Sequence, residues 1–303
     1  PLVLFFLFLF SAFQASIIPL SDAITLERAG QSGWSFGPVR LAGTVGFALM
    51  AVVAGFSARW RIGSIFPLYA VLGLLAFLVL LRLPKVRGHQ SAGPRVPPGR
   101  LFRSRALVLV LAFHFLLQFT LGFYYSFFAI HLKELGGDAS LQGWAVFITA
   151  TAELPFLLNA DRILARLGLR RTLLLAGGIL SLRWLAFYLV SDRFLLMALN
   201  ATHGVTVIVF IYCLATFINR HVPRELRASG HALNAMLCIG AARILGSVLG
   251  GVLCDRLGIR PVFLLFSLVA AVSVAVFAPL LLGKRPRRAA APDAAPREED
   301  PAP

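Results

Sequence analysis

Nine stretches of about 18–25 apolar residues recur along the chain, each long enough to cross a bilayer as a helix. They fall at 2–20, 37–57, 63–81, 106–130, 141–158, 172–191, 194–218, 229–252 and 261–282. Hydrocarbon offers no water to an exposed peptide group, so a spanning segment must be a helix or part of a closed barrel. The alternating apolar and polar ten-mers of a barrel are absent from the sequence. Composition points the same way. Of the 303 residues, 58% are hydrophobic and 14% charged, against roughly 45–50% and 25% in soluble domains. An ordinary soluble enzyme, a disordered chain and a secreted disulfide scaffold are excluded. The fold class is an all-α, multi-pass membrane protein.

The net charge of +16 is read with this in mind. Its basic residues lie between the apolar spans, so they report topology rather than a nucleic-acid partner. If the spans alternate in direction, segments 21–36, 82–105, 159–171, 219–228 and 283–303 share one side and hold 20 Lys and Arg. The four loops on the other side hold 6. The positive-inside rule then puts the C-terminus in the cytoplasm and Pro1 outside. Segment 82–105 carries four prolines and seven basic residues and reads as a cytoplasmic connector between two bundles. Residues 284–303 read as a disordered cytoplasmic tail. The chain starts at Pro1, inside an apolar run, and three spans precede the connector while six follow. Three further spans are therefore expected ahead of Pro1. Cys213, Cys238 and Cys254 sit in or beside spans without metal-ligand spacing and read as inert thiols.

A charge in a bilayer costs at least ~2.5–3.5 kcal/mol on insertion scales, so every ionisable residue within a span needs a reason. Those residues are Arg40, Glu153, Arg183, His203 and Arg243, with Asp22 at the end of the first span. His114 and Gln118 share one face of the fourth span, and Asn200 and His203 one face of the seventh. Each has a structural reading, as an interhelical hydrogen bond or ion pair, and a functional one, as a solute contact. Glu153, Arg183 and His203 lie on three consecutive spans and are able to face one cavity, which favours function. Tyr124, Tyr125, Phe127 and Phe128 read either as an interfacial belt or as a stacking surface. Gly246 and Gly250 form a close-packing seam. No nucleotide-binding loop, metal-ligand cluster or nucleophile elbow occurs in the sequence. No cofactor is expected, and any transport must run on an ion or solute gradient.

The run from Phe36 through Gly37, Pro38, Val39 and Arg40 to Phe47 resembles the start of the fifth helix of major facilitator superfamily symporters. Residues 123–128, 132–136 and 222–230 resemble the seventh helix, the loop after it and the approach to the eleventh in the phenylpropionate permease group. Lactose permease and nucleoside symporters are more distant likenesses. The resemblance covers nearly the whole chain up to about residue 282 and aligns it with helices 4–12 of 12. It implies a partial N-terminal bundle over 1–81, the connector over 82–105, a six-helix C-terminal bundle over 106–283, a mid-membrane site and alternating access. By that resemblance Asp22 and Arg40 form an ion pair, and Glu153, Arg183 and His203 occupy site positions. Thr206 stands where lactose permease has its proton-coupling Glu, which leaves Glu153 or His203 for the proton. Of the superfamily's loop motif, Asp161-Arg162 and Arg170-Arg171 remain.

The expectation is a monomeric secondary transporter of a bacterial inner membrane, coupled to protons and taking a small organic solute. In-span arginines outnumber in-span acids, so the preferred solute is an organic acid of phenylpropionate type. Arg40, Tyr124, Arg183, His203 and Arg243 would bind it, and Glu153 and His203 would carry the proton. One alternative is a sugar or nucleoside symporter. Another, of a different class, is a non-transporting sensor or inactive fragment.

Overall fold

The computed structural model describes residues 2–11, 13, 14, 17, 36–82, 98–223 and 226–282. Helices dominate them: α1 (Leu2–Ser11), α2 (Phe36–Trp60), α3 (Ile65–Leu80), α4 (Arg105–Glu134), α5 (Ala139–Leu167) and α6 (Leu169–Leu189) come first. The seventh expected span is α7 (Arg193–Ala198), a 3-10 stretch (Leu199–Val205) and α8 (Val207–His221). The eighth is α9 (Arg227–Asn234), a π-helical stretch (Ala235–Ala242) and α10 (Arg243–Leu257), and α11 (Ile259–Leu282) closes the bundle. Eight of these runs among the described residues are long and apolar enough to span a membrane. Helix α1 is the described part of the ninth. Asp22, the Arg40 side chain, most of the connector and the tail lie outside the described residues.

Two expectations about element limits need correction. Residues 159–167 were expected in a loop and continue α5, and residues 253–257 likewise continue α10. Charged residues end an apolar count without ending a helix, because their side chains reach the interface while the backbone ladder continues. The helices stop at Gly168 and Gly258, whose φ of 77° and 82° reverses the chain. A side chain would be strained there.

These two turns belong to a repeat. Arg166-Leu167-Gly168-Leu169-Arg170 leads into α6, and Arg256-Leu257-Gly258-Ile259-Arg260 leads into α11. The two helices pack antiparallel and treat each other alike. Arg170 Nη1 donates to Leu281 O at the end of α11 (2.9 Å), and Arg260 Nη2 donates to Tyr188 O at the end of α6 (2.9 Å). Midway, Ser181 Oγ donates to Ser267 O at 2.9 Å and Ser267 Oγ to Ser181 O at 2.8 Å. Each arginine thus satisfies a carbonyl that a helix end leaves orphaned. The arrangement has the pseudo-two-fold character of an inverted repeat.

The core joins α4, α6, α8 and α11 around Phe113, Phe123, Trp184, Phe187, Phe210 and Phe263, all fully buried. Lipid is as apolar as these rings, so cohesion comes from packing rather than from escape from water. Small residues let α10 close on α4: Gly246 sits on the Phe119 carbonyl and Gly250 on the Phe123 ring. The expected seam is therefore present. A second seam, between Gly55 and Gly143, joins α2 to α5.

Candidate solute site between α2, α4 and α5

Helix α5 carries Gln142, Val146, Thr149 and Glu153 along one face, at helical spacing. They line a cavity of about 630 Å³ together with Gly43, Thr44 and Phe47 of α2, Tyr124, Tyr125 and Phe128 of α4, and His203. That volume suits a small organic molecule. Polar groups and aromatic faces alternate around the wall.

His203 arrives there because α7 does not run on into α8. Asp192 caps α7 through the Phe194 and Leu195 N–H groups. The chain then tightens to 3-10 geometry, in which residues three apart eclipse. Asn200 and His203 therefore stack on one edge and both meet Arg183 of α6. Gly204 lets this stretch lie directly on the α5 backbone at Ala152, where any Cβ would collide with the carbonyl. The sequence pattern gave a uniform apolar span here. A glycine flanked by Asn200, His203 and Thr206 was the available signal for a break.

Arg183 is 2% exposed. Its Nη2 donates to Asn200 Oδ1 at 3.1 Å, and its Nη1 lies 3.2 Å from His203 Nδ1. The guanidinium also rests 4.6 Å from the centroid of the Tyr124 ring. Tyr124 Oη donates to the same Asn200 oxygen at 2.5 Å, and Asn200 Nδ2 donates to Leu196 O and Met197 O. A guanidinium has no acceptor, so His203 Nδ1 must be bare and its hydrogen must sit on Nε2. That nitrogen lies 3.6 Å from Glu153 Oε1. Arg183, His203 and the Glu153 carboxylate of the cavity wall thus stand in a row, the first two hydrogen-bonded and the last two in a longer 3.6 Å contact.

The structure places Tyr124, Glu153 and His203 in the cavity wall and Arg183 against them from behind. Arg183 was expected to face the solute and to neighbour Glu153. It lies behind the wall, with His203 between them, because the packed core supplies partners for its planar fork. Arg243 is also set back: its Nε donates to Gln118 Oε1 at 2.9 Å and its guanidinium lies over the Tyr125 ring. Neither arginine lines the cavity. Thr206 Oγ1 donates to the Thr202 carbonyl at 2.9 Å and is wholly buried. Thr44, Gln142 and Thr149 were not anticipated. The recurrence of Gln142, Thr149 and Glu153 on one face of an apolar helix was their legible signal.

The MFS_1 like family profile matches residues 2–265. The chain is 32% identical over 283 residues to the maltose permease of Geobacillus stearothermophilus, covering 93% of this chain and 71% of that protein. It is 26% identical over 277 residues to the uncharacterized transporter YwbF of Bacillus subtilis (strain 168), covering 89% and 68%. The crystal structure of the nucleoside transporter NupG superposes with a TM-score of 0.70 over 88% of this chain and 73% of that one, at 22% identity. With that fold, those relatives and its membrane-spanning helices, the chain belongs to the MFS_1 like family and is a multi-pass membrane transporter of the major facilitator superfamily with a small-molecule substrate.

Proposed function

We propose that this transporter carries a neutral polyhydroxylated solute, a sugar or nucleoside, in symport with a proton. The observation that carries the reading is the division of charge at the cavity: the Glu153 carboxylate lines it, while Arg183 and Arg243 are held behind it by Asn200, His203 and Gln118. Hydroxyls can be met by the Gln142 amide, the Thr44 and Thr149 hydroxyls and Glu153, with Tyr124 and Tyr125 as stacking faces. Together these groups can both donate to and accept from hydroxyls, as a polyhydroxylated solute requires. The preference for a phenylpropionate-like acid therefore gives way to the sugar or nucleoside alternative. Similarity to a maltose permease, and the fold shared with a nucleoside transporter, support the same class.

Competition for binding to the purified protein tests this. Radiolabelled maltose and uridine are the probes, and 3-phenylpropionate is the competitor of the other class. One of the two neutral probes should bind saturably and be displaced by its unlabelled form. Saturable binding of radiolabelled 3-phenylpropionate, with neither neutral probe binding, would return the acid to first place.

A further inference from the structure

A second polar cluster lies outside the cavity, on the face of α4 turned toward α9 and α10. It joins His114, Gln118, Asn234 and Arg243. All but Asn234 are connected by hydrogen bonds: Arg243 Nε to Gln118 Oε1 at 2.9 Å, and Gln118 Nε2 to His114 Nε2 at 2.8 Å. His114 and Gln118 are 1% and 0% exposed.

The donors fix every orientation in the chain. Arg243 can only donate, so the Gln118 oxygen must face it. The Gln118 NH2 then faces His114, whose Nε2 must accept. The imidazole hydrogen is left on Nδ1, which faces the buried Asn234 side chain. Arg243 and Asn234 are nine residues apart, which on an α-helix of 3.6 residues per turn would put them on opposite faces. The intervening π-helical stretch, with its wider i→i+5 turns, unwinds that half turn and brings both to α4. At the far end of the chain of contacts, the Arg243 guanidinium lies 4.6 Å from the centroid of the Tyr125 ring, which forms part of the cavity wall.

We propose that Gln118 and His114 are positioning residues of the solute site, acting through Arg243 to hold the Tyr125 ring against the bound solute. Neither touches the solute. Gln118 supplies the acceptor that fixes the guanidinium, and His114 accepts from the other end of the Gln118 amide and holds it in that orientation. The inference rests on the cavity being the solute site.

The test uses two variants and two readouts on the purified protein, with radiolabelled maltose and uridine as probes. Gln118→Leu removes the acceptor. Gln118→Glu keeps an acceptor for Arg243 and offers a second one to His114. Nitrogen-15 NMR of labelled histidine reads the His114 tautomer without any solute. Wild type should show the Nδ1–H form and Gln118→Glu the Nε2–H form. The probe that wild type binds should lose at least about tenfold in affinity with Gln118→Leu and stay within about threefold with Gln118→Glu, as loss and retention of a charge-assisted hydrogen bond require. Wild-type affinity in Gln118→Leu, equal losses in both variants, or an Nε2–H tautomer in wild type would overturn the proposal. If wild type binds neither probe, the proposed solute class fails, and the positioning chain stands or falls on the His114 signal alone.

Discussion

At His203, Nδ1 accepts from Arg183, so a second proton on the ring would have to displace the guanidinium. The carboxylate of Glu153 lies in the cavity wall, where a proton and a solute can both reach it. We therefore propose Glu153 as the proton carrier, with His203 standing between it and Arg183. In reconstituted vesicles, Glu153→Gln should still exchange solute across the membrane. It should lose accumulation driven by an imposed pH gradient, because an amide takes no proton at working pH. Continued accumulation in that variant would move the proton to another group. Most of these residues were legible in the sequence, since a charge in an apolar span stands out. Their partners were not: the spacing of Glu153, Arg183 and His203 says which helices carry them, whereas the order Arg183, His203, Glu153 depends on how α5, α6 and the 3-10 stretch are rotated against each other.

Among the elements, α2 and α5 meet through the Gly55–Gly143 seam, and at its Trp60 end Arg59 Nε lies 3.1 Å from Asp138 Oδ2. Asp138 is also the N-cap of α5, accepting from Leu141 N at 2.9 Å, and Ser140 Oγ donates to it at 2.6 Å. The Ser140 hydroxyl, the Leu141 N–H and the Arg59 guanidinium hold the Asp138 carboxyl below the usual carboxylate range. Because the folded-state value is the depressed one, this contribution is present above the unfolded value of about 3.9 and is lost as pH falls through the folded value. Both partners of the ion pair are well exposed, 61% for Arg59 and 39% for Asp138, so the cap should outweigh the pair. Thermal unfolding in detergent should show Asp138→Ala costing about 1 kcal/mol at neutral pH and Asp138→Asn only a few tenths, since Asn also caps. An Asn variant as weak as the Ala variant would transfer the stabilisation to the ion pair. Helix limits set by caps of this kind were open to sequence reasoning. The breaks inside the seventh and eighth spans were harder to see. Ala235–Ala242 carries no proline and no charge that would mark its π geometry in advance.

Across the whole molecule, the basic asymmetry of 20 against 6 predicts that segment 82–105 faces the cytoplasm. A cysteine at Ser91 should resist a membrane-impermeant thiol reagent added outside intact cells and react after permeabilisation. Ready labelling from outside would invert the proposed topology. The helical, membrane-spanning character of the chain was determined by sequence alone, because apolar length and the need to satisfy backbone groups in lipid leave few other structures open. The places of the spans and the short list of in-span charges followed from the same local rules. Pairing was decided only in three dimensions. The reciprocal Arg170–Leu281 and Arg260–Tyr188 contacts show this: each arginine looks like an ordinary flanking charge until α6 and α11 lie antiparallel. The same holds for the electrostatics of the site. A count of in-span charges favoured an anionic solute, because a count cannot tell a charge that lines a cavity from one already committed to neighbours. Side-chain hydrogen bonds between helices removed Arg183 and Arg243 from the wall and left Glu153 in it. The chemistry of the cavity depends on which side of each helix faces inward, and only tertiary packing determines that.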